Sequence, residues 1–421
     1  MTGENVPEDN FPFFDLNALL AQAGGADPWD MAAQVAASIA SEGGREANLD
    51  PSVRFEFEDL VRVAELNLGQ VPGLQLPTSI KIVPTNRSDW VQKSLKSYRP
   101  FLERFGEAVA AEAAAEEPEP SADPMSAMVG QAFSSLGPML VTISTGTMLG
   151  HLAQQTLGQY DLPVPRDSNE ILVVPTAIDA AAAKWDLTRD DLRLWILIQE
   201  MATHTVLSFP HVRKRLETLL LDFASAFRPN NEMIQNEFGS MSDLSQLEQI
   251  GEKFNNPEIV LSMMRSPGHD LIVPQLDALV ASILGYVSHV VNVACEPLLP
   301  NHSSIQDHFR QRWVASAPAD RFTERLLGLE IDGNTLQRGD GFISGVIERA
   351  GQSGLDRLWA DELDLPTAAE VDAPGLWLER IGLASDTTTF TFDIPDDLSS
   401  LEDDGHGDDV ENDEKPSDDA E

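Results

Sequence analysis

Residues 195–209 read WILIQEMATHTVLSF, and the spacing of their apolar side chains predicts an amphipathic helix. The preceding stretch, DLTRDDLRLW, supplies a helix start in which Thr188 caps the chain and Asp191, three residues on, resembles the acid of a capping box. The helix is expected to run to about residue 207. It is too apolar to lie on a surface, so we expect it to face the interior of a helical body.

Two polar residues of this helix raise the question of a metal site. Glu200 and His204 share one stripe of the helix, four residues apart, and two side chains at this spacing can bind one ion. Such pairs are more often a local hydrogen bond or ion pair worth roughly a few tenths of a kcal/mol. Zinc proteases carry the helix pattern His-Glu-x-x-His, but here Gln199 precedes the glutamate and Thr203 stands at the final position.

Helical patterns also fill most of the remaining chain. A second apolar helix is predicted at 272–298 and is expected to be a neighbour of the first. A helix over 50–68 begins with Asp-Pro, a favourable start. Strand-like runs are few, and the clearest is ILVV at 171–174. The fold class is therefore mainly α, a multi-helix body with few short extended segments and disordered termini.

Composition divides the chain into five parts. Residues 1–12 are expected to be disordered, as is the tail 395–421, which carries 13 acidic residues and one lysine. The stretch 116–124, EEPEPSADP, has the composition of an exposed acidic linker. An N-terminal helical region at 13–115 and a helical core at 125–394 make up the rest.

The overall charge limits the classes of partner. The chain carries 69 acidic and 28 basic residues, a net charge of −41. Such a surface repels phosphate backbones and anionic lipid, so no nucleic-acid partner is expected. The single cysteine, Cys295, excludes an internal disulfide framework, and the start of the chain lacks the basic and apolar segments of a secretory signal. We therefore expect a cytoplasmic protein.

The most membrane-like stretch of the sequence is 132–152. It contains Pro138 and several hydroxyl residues, and it lacks a sustained run of strongly apolar residues. Gly146 and Gly150 stand at a spacing that permits close helix contact. We interpret the stretch as a buried helix in which glycine lets a neighbour approach, and we expect no membrane span.

Several stretches carry a resemblance to a known family. They are, in order, PWDMAAQVAASIA, SDWVQKSLKSYRP, LGHLAQQTLGQYDLPVP, RLWILIQEMATHTVLSFPHVRKRL, LGYVSHVV, RFTERLLGLE and LWADELDLPT. In this order and spacing the chain, from Phe14 to about Ile381, resembles the zincin-like metallopeptidase type 2 family. The resemblance implies a zincin-like helical body and a zinc-dependent peptidase or hydrolase ancestry.

The family pattern transfers only in part to this sequence. Members with an intact motif read His-Glu-x-x-His, which places their histidines at Gln199 and Thr203 and leaves Glu200 as the single match. His204 follows the second ligand position and is not part of the motif. The family's later helix tends to contain Glu-Gly-Trp/Tyr-Val-Asp, and here Leu284 stands in place of that glutamate.

This substitution pattern decides the expected cofactor. A catalytic zinc needs three protein ligands and an open position for water, whereas glutamine is a poor ligand, threonine a poorer one and leucine none. Glu200, the candidate catalytic residue, would serve as a base only for a water bound by something else. We therefore assign no metal ligand and expect no cofactor, with zinc expected only if a non-standard site exists. The residues that line the former site are predicted to be Gln199, Thr203, His204, Leu284 and His289.

Two functions follow from these observations. In the first, the protein is a family member that has lost its zinc ligands and acts as a non-catalytic or altered-activity scaffold for an unknown protein or peptide. In the second, it is an active metal-dependent peptidase or hydrolase with a non-standard site around Glu200, in which His204 and His289 on facing helices take part. The ligand chemistry favours the first.

Overall fold

The structure is a computed structural model that describes residues 28–44, 46–115, 145–228, 264–315 and 321–383. The described residues all belong to one compact unit. The predicted disordered segment 1–12, the linker 116–124 and the tail 395–421 lie outside the described residues. The division between 13–115 and 125–394 stays a prediction.

Helices dominate the described part of the chain, as predicted. In chain order the elements are α1 (Pro28–Ala40), α2 (Pro51–Leu68), β1 (Lys81–Pro84), α3 (Arg87–Ala115), β2 (Glu170–Val173), α4 (Pro175–Lys184), α5 (Arg189–Leu207), α6 (Pro210–Ser225), α7 (Gly268–Cys295), α8 (His302–Ala315), α9 (Phe322–Leu326), α10 (Gly333–Leu358), a 3₁₀ turn (Glu362–Asp364), α11 (Ala368–Asp372) and α12 (Pro374–Arg380). Residues 145–155 are also helical.

Helix starts were predictable where proline and a capping side chain coincide. Asp50 caps α2 by accepting the N–H of Ser52, and Pro51 occupies the first turn, where its missing N–H is not needed. Helix α5 also begins directly after Thr188, as expected, but the Thr188 side chain makes no capping hydrogen bond. The predicted capping box is therefore wrong. Instead, Arg193 fixes the start of α5 by donating hydrogen bonds to Asp179 and Glu56.

The sheet consists of two short parallel strands. The predicted strand at 171–174 is confirmed as β2, and it pairs with β1 so that Ile82 lies opposite Ile171. Strand β1, whose four residues end at Pro84, was not predicted from the sequence. The pair holds the chain ahead of α3 beside the segment that leads into α4.

The two apolar helices α5 and α7 are neighbours in the core, as predicted. Helix α7 also packs closely on α10, since a Cβ atom on Gly285 would lie 2.3 Å from the carbonyl oxygen of Gly339. Among the described residues, α7 is the helix long and apolar enough to cross a membrane by length and composition, and 72% of its most apolar window is buried inside the fold. A buried core helix passes the same test, and the absence of a span stays a prediction.

Gly146 and Gly150, the described glycines of the stretch 132–152, pack as the buried-helix interpretation expects. A Cβ atom on Gly146 would lie 2.5 Å from the carbonyl oxygen of Ala32, and one on Gly150 would lie 2.7 Å from the side chain of Ile39. Both contacts are with α1. The described end of this stretch, 145–152, is thus a helix in close contact with another helix of the fold.

Candidate functional site

The surroundings of Glu200 are organised by segment 156–166, which runs between the helical residues 145–155 and β2. Every residue of this segment is buried, although it contains neither helix nor strand. Buried irregular backbone needs hydrogen-bond partners for its N–H and C=O groups. Side chains from α3 and α5 supply several of them.

Glu200 is the first of these partners. Its side chain accepts the backbone N–H of Gln159 at 2.9 Å and that of Tyr160 at 2.9 Å. Only 3% of Glu200 is exposed. Gly158 leaves the space for this contact, because a Cβ atom there would lie 2.2 Å from Oε1 of Glu200. The carboxyl group therefore faces the backbone of segment 156–166.

Burial changes the protonation of Glu200. Desolvation raises the pKa of its carboxyl group to about 8, and the nearby charge of Asp161 acts in the same direction. The N–H donors of Tyr160 and Gln159 and the charge of Arg166 act in the opposite direction. The side chain is thus mainly protonated at neutral pH.

His204 forms a hydrogen bond with Tyr160 and not with Glu200, the partner that its spacing on α5 indicated. Its Nδ1 lies 2.8 Å from the hydroxyl of Tyr160, whereas Glu200 bonds to the backbone. The local Glu200–His204 hydrogen bond or ion pair expected from their spacing is therefore wrong, because segment 156–166 engages each side chain separately. Burial and the charge of Arg213 lower the pKa of His204 to about 4. Within the described ranges, Nε2 of His204 has no hydrogen-bond partner.

Two charged residues of the segment were missed by sequence reasoning. Arg166 is buried, donates to the carbonyl of Gln159 and lies over the ring of Trp90, and desolvation lowers the pKa of its guanidinium. Asp161 accepts the N–H of Leu157 and a side-chain bond from Arg312, each at 2.8 Å. The signal was present in QYDLPVPRD, where charged residues alternate with apolar ones and prolines and no helical pattern occurs.

A pocket lies beside this segment, between α5, α7 and α8. It is small, with a volume of about 40 Å³ that a water-sized molecule can enter. Gln199 and Leu284, two of the residues predicted to line the site, are both in its wall. The other lining residues are Tyr160, Asp161, Trp195, Ser288, Val291, Gln306, Phe309, Arg310, Trp313, Ile331 and Leu336.

The predicted site residues therefore separate into two groups. Gln199 and Leu284 meet at the pocket, as the resemblance implied for their positions. Thr203 is buried and donates its hydroxyl to the carbonyl of Gln199 within α5 at 2.9 Å, and it does not line the pocket. His204 and His289 are not part of the lining either. His289 is half-buried, and desolvation lowers the pKa of its ring.

The resemblance implies zinc ligands at three positions of this chain, and the donor atoms present there can be compared with the needs of zinc. Gln199 offers an amide, Thr203 a hydroxyl that is already donated to the helix backbone, and Leu284 a hydrocarbon. This set does not fit a metal that takes three imidazole, thiolate or carboxylate ligands. In the part of the chain that the structure describes, no three His, Cys, Asp or Glu side chains form a group that could hold a metal ion.

Comparisons with known proteins agree with this architecture. A family model described as zincin-like metallopeptidase matches residues 28–378. A crystal structure of a candidate hydrolase with a novel fold, from Chloroflexus aurantiacus, has a TM-score of 0.61 to this chain at 21% sequence identity, covering 85% of this chain and 99% of the other. At that identity the likeness shows the fold alone. A comparison with curated proteins gave no match.

Proposed function

Since the chain belongs to the zincin-like metallopeptidase family, we propose that it keeps the helical body of that family without its zinc chemistry and acts as a non-catalytic scaffold that binds a protein or peptide. The observation that carries the proposal is the donor set at the former ligand positions. Gln199, Thr203 and Leu284 together supply no imidazole and no carboxylate. A zinc-bound water needs three such ligands to be held and acidified.

The orientation of Glu200 supports the same proposal. A general base must reach the proton that it removes, directly or through one water. Glu200 instead accepts two backbone N–H groups and is 3% exposed. Its role in this scaffold is to hold segment 156–166, which forms one wall of the pocket through Tyr160 and Asp161.

The second candidate function is metal-dependent hydrolysis at a non-standard site around Glu200. Two observations favour it: Nε2 of His204 has no partner among the residues that the structure describes, and the pKa of Glu200 is raised. Perturbed titratable groups cluster at active sites. Against it, both side chains are buried and face segment 156–166 rather than the pocket. We therefore rank this function second.

The charge and the cysteine of the chain bear on the class of partner and on the cellular location that we propose. A net charge of −41 disfavours nucleic acid and anionic membranes, so the proposed partner is a protein or a peptide. The one cysteine, Cys295, is buried, and burial raises the pKa of its thiol to about 12, which makes it unreactive. We place the protein in the cytoplasm on these grounds.

Restoring the ligands tests whether the scaffold is a former zinc site. The triple variant Gln199→His, Thr203→His, Leu284→Glu supplies two imidazoles and a carboxylate at the family's positions. It is expected to gain about one zinc per chain while its circular dichroism is retained and its thermal unfolding stays cooperative. The matched control carries Leu284→Gln in place of Leu284→Glu, which has a similar shape but no carboxylate, and should hold zinc more weakly.

The burial of Thr203 requires a second variant. Histidine at this position adds volume to a packed helix and is expected to cost about 1–3 kcal/mol. The double variant Gln199→His, Leu284→Glu leaves Thr203 in place and changes only residues that line the pocket. It should bind zinc measurably by calorimetry, more weakly than the triple variant. Folded variants that bind no zinc at all would show that these positions do not form the former site.

A further inference from the structure

Helix α2 carries apolar side chains on two opposite faces. On the inner face, Phe57, Ala64 and Leu68 are buried in the fold. On the outer face, Phe55 and Leu66 are 66% and 65% exposed. These two residues are eleven positions apart, which is roughly three turns, so they lie along one line on the surface of the helix. Two large apolar side chains aligned on the most exposed side of a helix indicate a surface that meets another molecule.

Two charged side chains lie on the same line, between the apolar ones. At about 100° per residue, Asp59 and Arg62 are both within roughly 40° of Phe55 around the helix axis. They form an ion pair of 3.0 Å, in which both side chains are largely exposed. Such an exposed pair contributes little to the fold. We call Phe55, Asp59, Arg62 and Leu66 the outer stripe of α2, and its order is apolar, acidic, basic, apolar.

The outer stripe is complementary to a reversed copy of itself. Phe55 and Leu66 are equally far from the middle of the segment 55–66, and so are Asp59 and Arg62. In an interface with two-fold symmetry, every contact occurs twice with the roles of the two chains exchanged. Two α2 helices that pack antiparallel about this midpoint therefore place Phe55 beside the partner's Leu66. The same arrangement places Asp59 beside the partner's Arg62.

We propose that the outer stripe of α2 is the contact between two copies of this protein in a symmetric, reversible dimer. The four apolar side chains at its ends are buried on association, and the two charge pairs between them select the antiparallel register. A partner of unrelated sequence has no reason to match this order, whereas a second copy matches it at all four positions. The inference is independent of the proposed function, because no residue of the stripe lines the pocket.

The size and charge of the contact set its strength. A single pair of five-turn helices buries less than about 1,200 Å², which is the range of weak and transient complexes. The net charge of −41 on each copy also opposes association. The dissociation constant is therefore expected to be on the order of 10–100 μM, so the dimer forms at high protein concentration and separates on dilution.

Sedimentation equilibrium of the full-length protein, from about 1 to 500 μM in about 0.15 M salt, tests the inference. The unmodified protein is expected to change from monomer to dimer across this range. Asp59→Arg and Arg62→Asp each put like charges opposite one another in both pairs, and each should weaken the dimer roughly tenfold or more. Asp59→Arg also reduces the net negative charge of the chain. General repulsion between copies would therefore make this variant associate more tightly, which is the opposite result.

An equimolar mixture of these two variants separates a contact between chains from an ion pair within one chain. Each variant has lost its own pair of Asp59 and Arg62, yet positions 59 and 62 of one variant are complementary to those of the other. The mixture is expected to form a dimer about as tight as that of the unmodified protein, within roughly threefold. The double variant Asp59→Arg, Arg62→Asp should dimerise with itself in the same way.

The apolar ends of the stripe are tested by the double variant Phe55→Ser, Leu66→Ser. It should stay monomeric up to 500 μM and keep its circular dichroism, because both side chains are exposed. The matched control Leu271→Ser removes an apolar side chain on α7 that is 75% exposed, and it should dimerise like the unmodified protein. Three results would overturn the inference: an unmodified protein that is monomeric at 500 μM, a dimer that tolerates both single charge reversals, or a mixture of these variants that remains monomeric.

Discussion

Oε2 of Glu200 accepts the backbone N–H of Tyr160 at 2.9 Å, and the hydroxyl of the same tyrosine lies 2.8 Å from Nδ1 of His204. The two polar residues of helix α5 that indicated a metal pair thus share Tyr160 as a partner. Through it they hold segment 156–166 beside the pocket. We propose that the role of Glu200 in this protein is structural, because it holds this segment in place.

This linkage predicts that Glu200 stabilises the fold as a hydrogen-bond acceptor and that its charge contributes little to the free energy of unfolding. Glu200→Gln keeps an acceptor for the two N–H groups and should lower the free energy of unfolding by less than about 1 kcal/mol at pH 6–7. Glu200→Ala removes both acceptors and leaves a cavity, so it should cost about 2–5 kcal/mol. Chemical denaturation measures both values. The exposed control Glu65→Ala should stay within about 0.5 kcal/mol of the unmodified protein, and equal losses in the two Glu200 variants would contradict the prediction.

The raised pKa of Glu200 makes stability depend on pH with a definite sign. Its pKa is 4.5 for the free side chain and about 8 in the fold, so the folded state holds this proton more tightly. The contribution of Glu200 is fully present below about pH 4.5 and is lost as the pH rises through 8. Between pH 5 and 9 the unmodified protein should lose roughly 2–4 kcal/mol of unfolding free energy relative to Glu200→Gln. A stability difference that does not change over this range would show that Glu200 is ionised in the folded protein at neutral pH.

His204 has the opposite dependence. Its folded pKa, about 4, lies below its ordinary value of 6.5, so the stability that it contributes is present above pH 6.5 and is lost as the pH falls through 4. Nuclear magnetic resonance of ¹⁵N-labelled histidine should show the ring neutral at pH 5.5. Tyr160→Phe removes the hydroxyl partner and should cost about 1 kcal/mol, without moving the titration to the ordinary value, because burial is the main cause of the shift. A midpoint near 6.5 in the unmodified protein would mean that the ring is exposed to water.

Gly158 should be among the least replaceable glycines of the fold. A methyl group at this position would lie 2.2 Å from Oε1 of Glu200, so Gly158→Ala must displace either Glu200 or the segment. We expect a loss of at least about 2 kcal/mol in thermal or chemical unfolding. At Gly341, within α10, an added methyl group would meet no atom within 4 Å, and Gly341→Ala should be neutral or stabilise by up to about 1 kcal/mol. Similar effects of the two substitutions would argue against the packing of Gly158 on Glu200.

Much of the fold could be predicted from local signals. The Asp50-Pro51 start of α2, the extent of α5 and the neighbouring apolar helix α7 all follow from periodicity and helix-start chemistry, which depend on residues close in sequence. Strand β1 could not be found in the same way, because KIVP is short and its partner β2 lies far away in sequence. The predicted bonds of Thr188 and of the Glu200–His204 pair failed for a related reason. Tertiary partners, rather than helix neighbours, satisfy these parts of α5.

The candidate site was predictable to a smaller extent. The family pattern predicted that Gln199 and Leu284 lie close together, and both line one pocket although they are 85 positions apart in the sequence. It gave no indication that Arg166 and Asp161 would be buried beside the same helix, because a charged residue in an irregular segment is usually exposed. Their burial depends on the rings of Trp90 and Tyr98 and on the guanidinium of Arg312, which come from distant helices.

The metal content of the unmodified protein decides whether the zinc chemistry has been lost. Full-length protein is purified without added metal or chelator, dialysed, and analysed for zinc by elemental mass spectrometry. One histidine on the central helix binds zinc too weakly to survive dialysis, so we predict less than about 0.1 zinc per chain. About one zinc per chain, abolished by His204→Ala or His289→Ala, would contradict the loss of zinc chemistry and establish the non-standard metal site in its place.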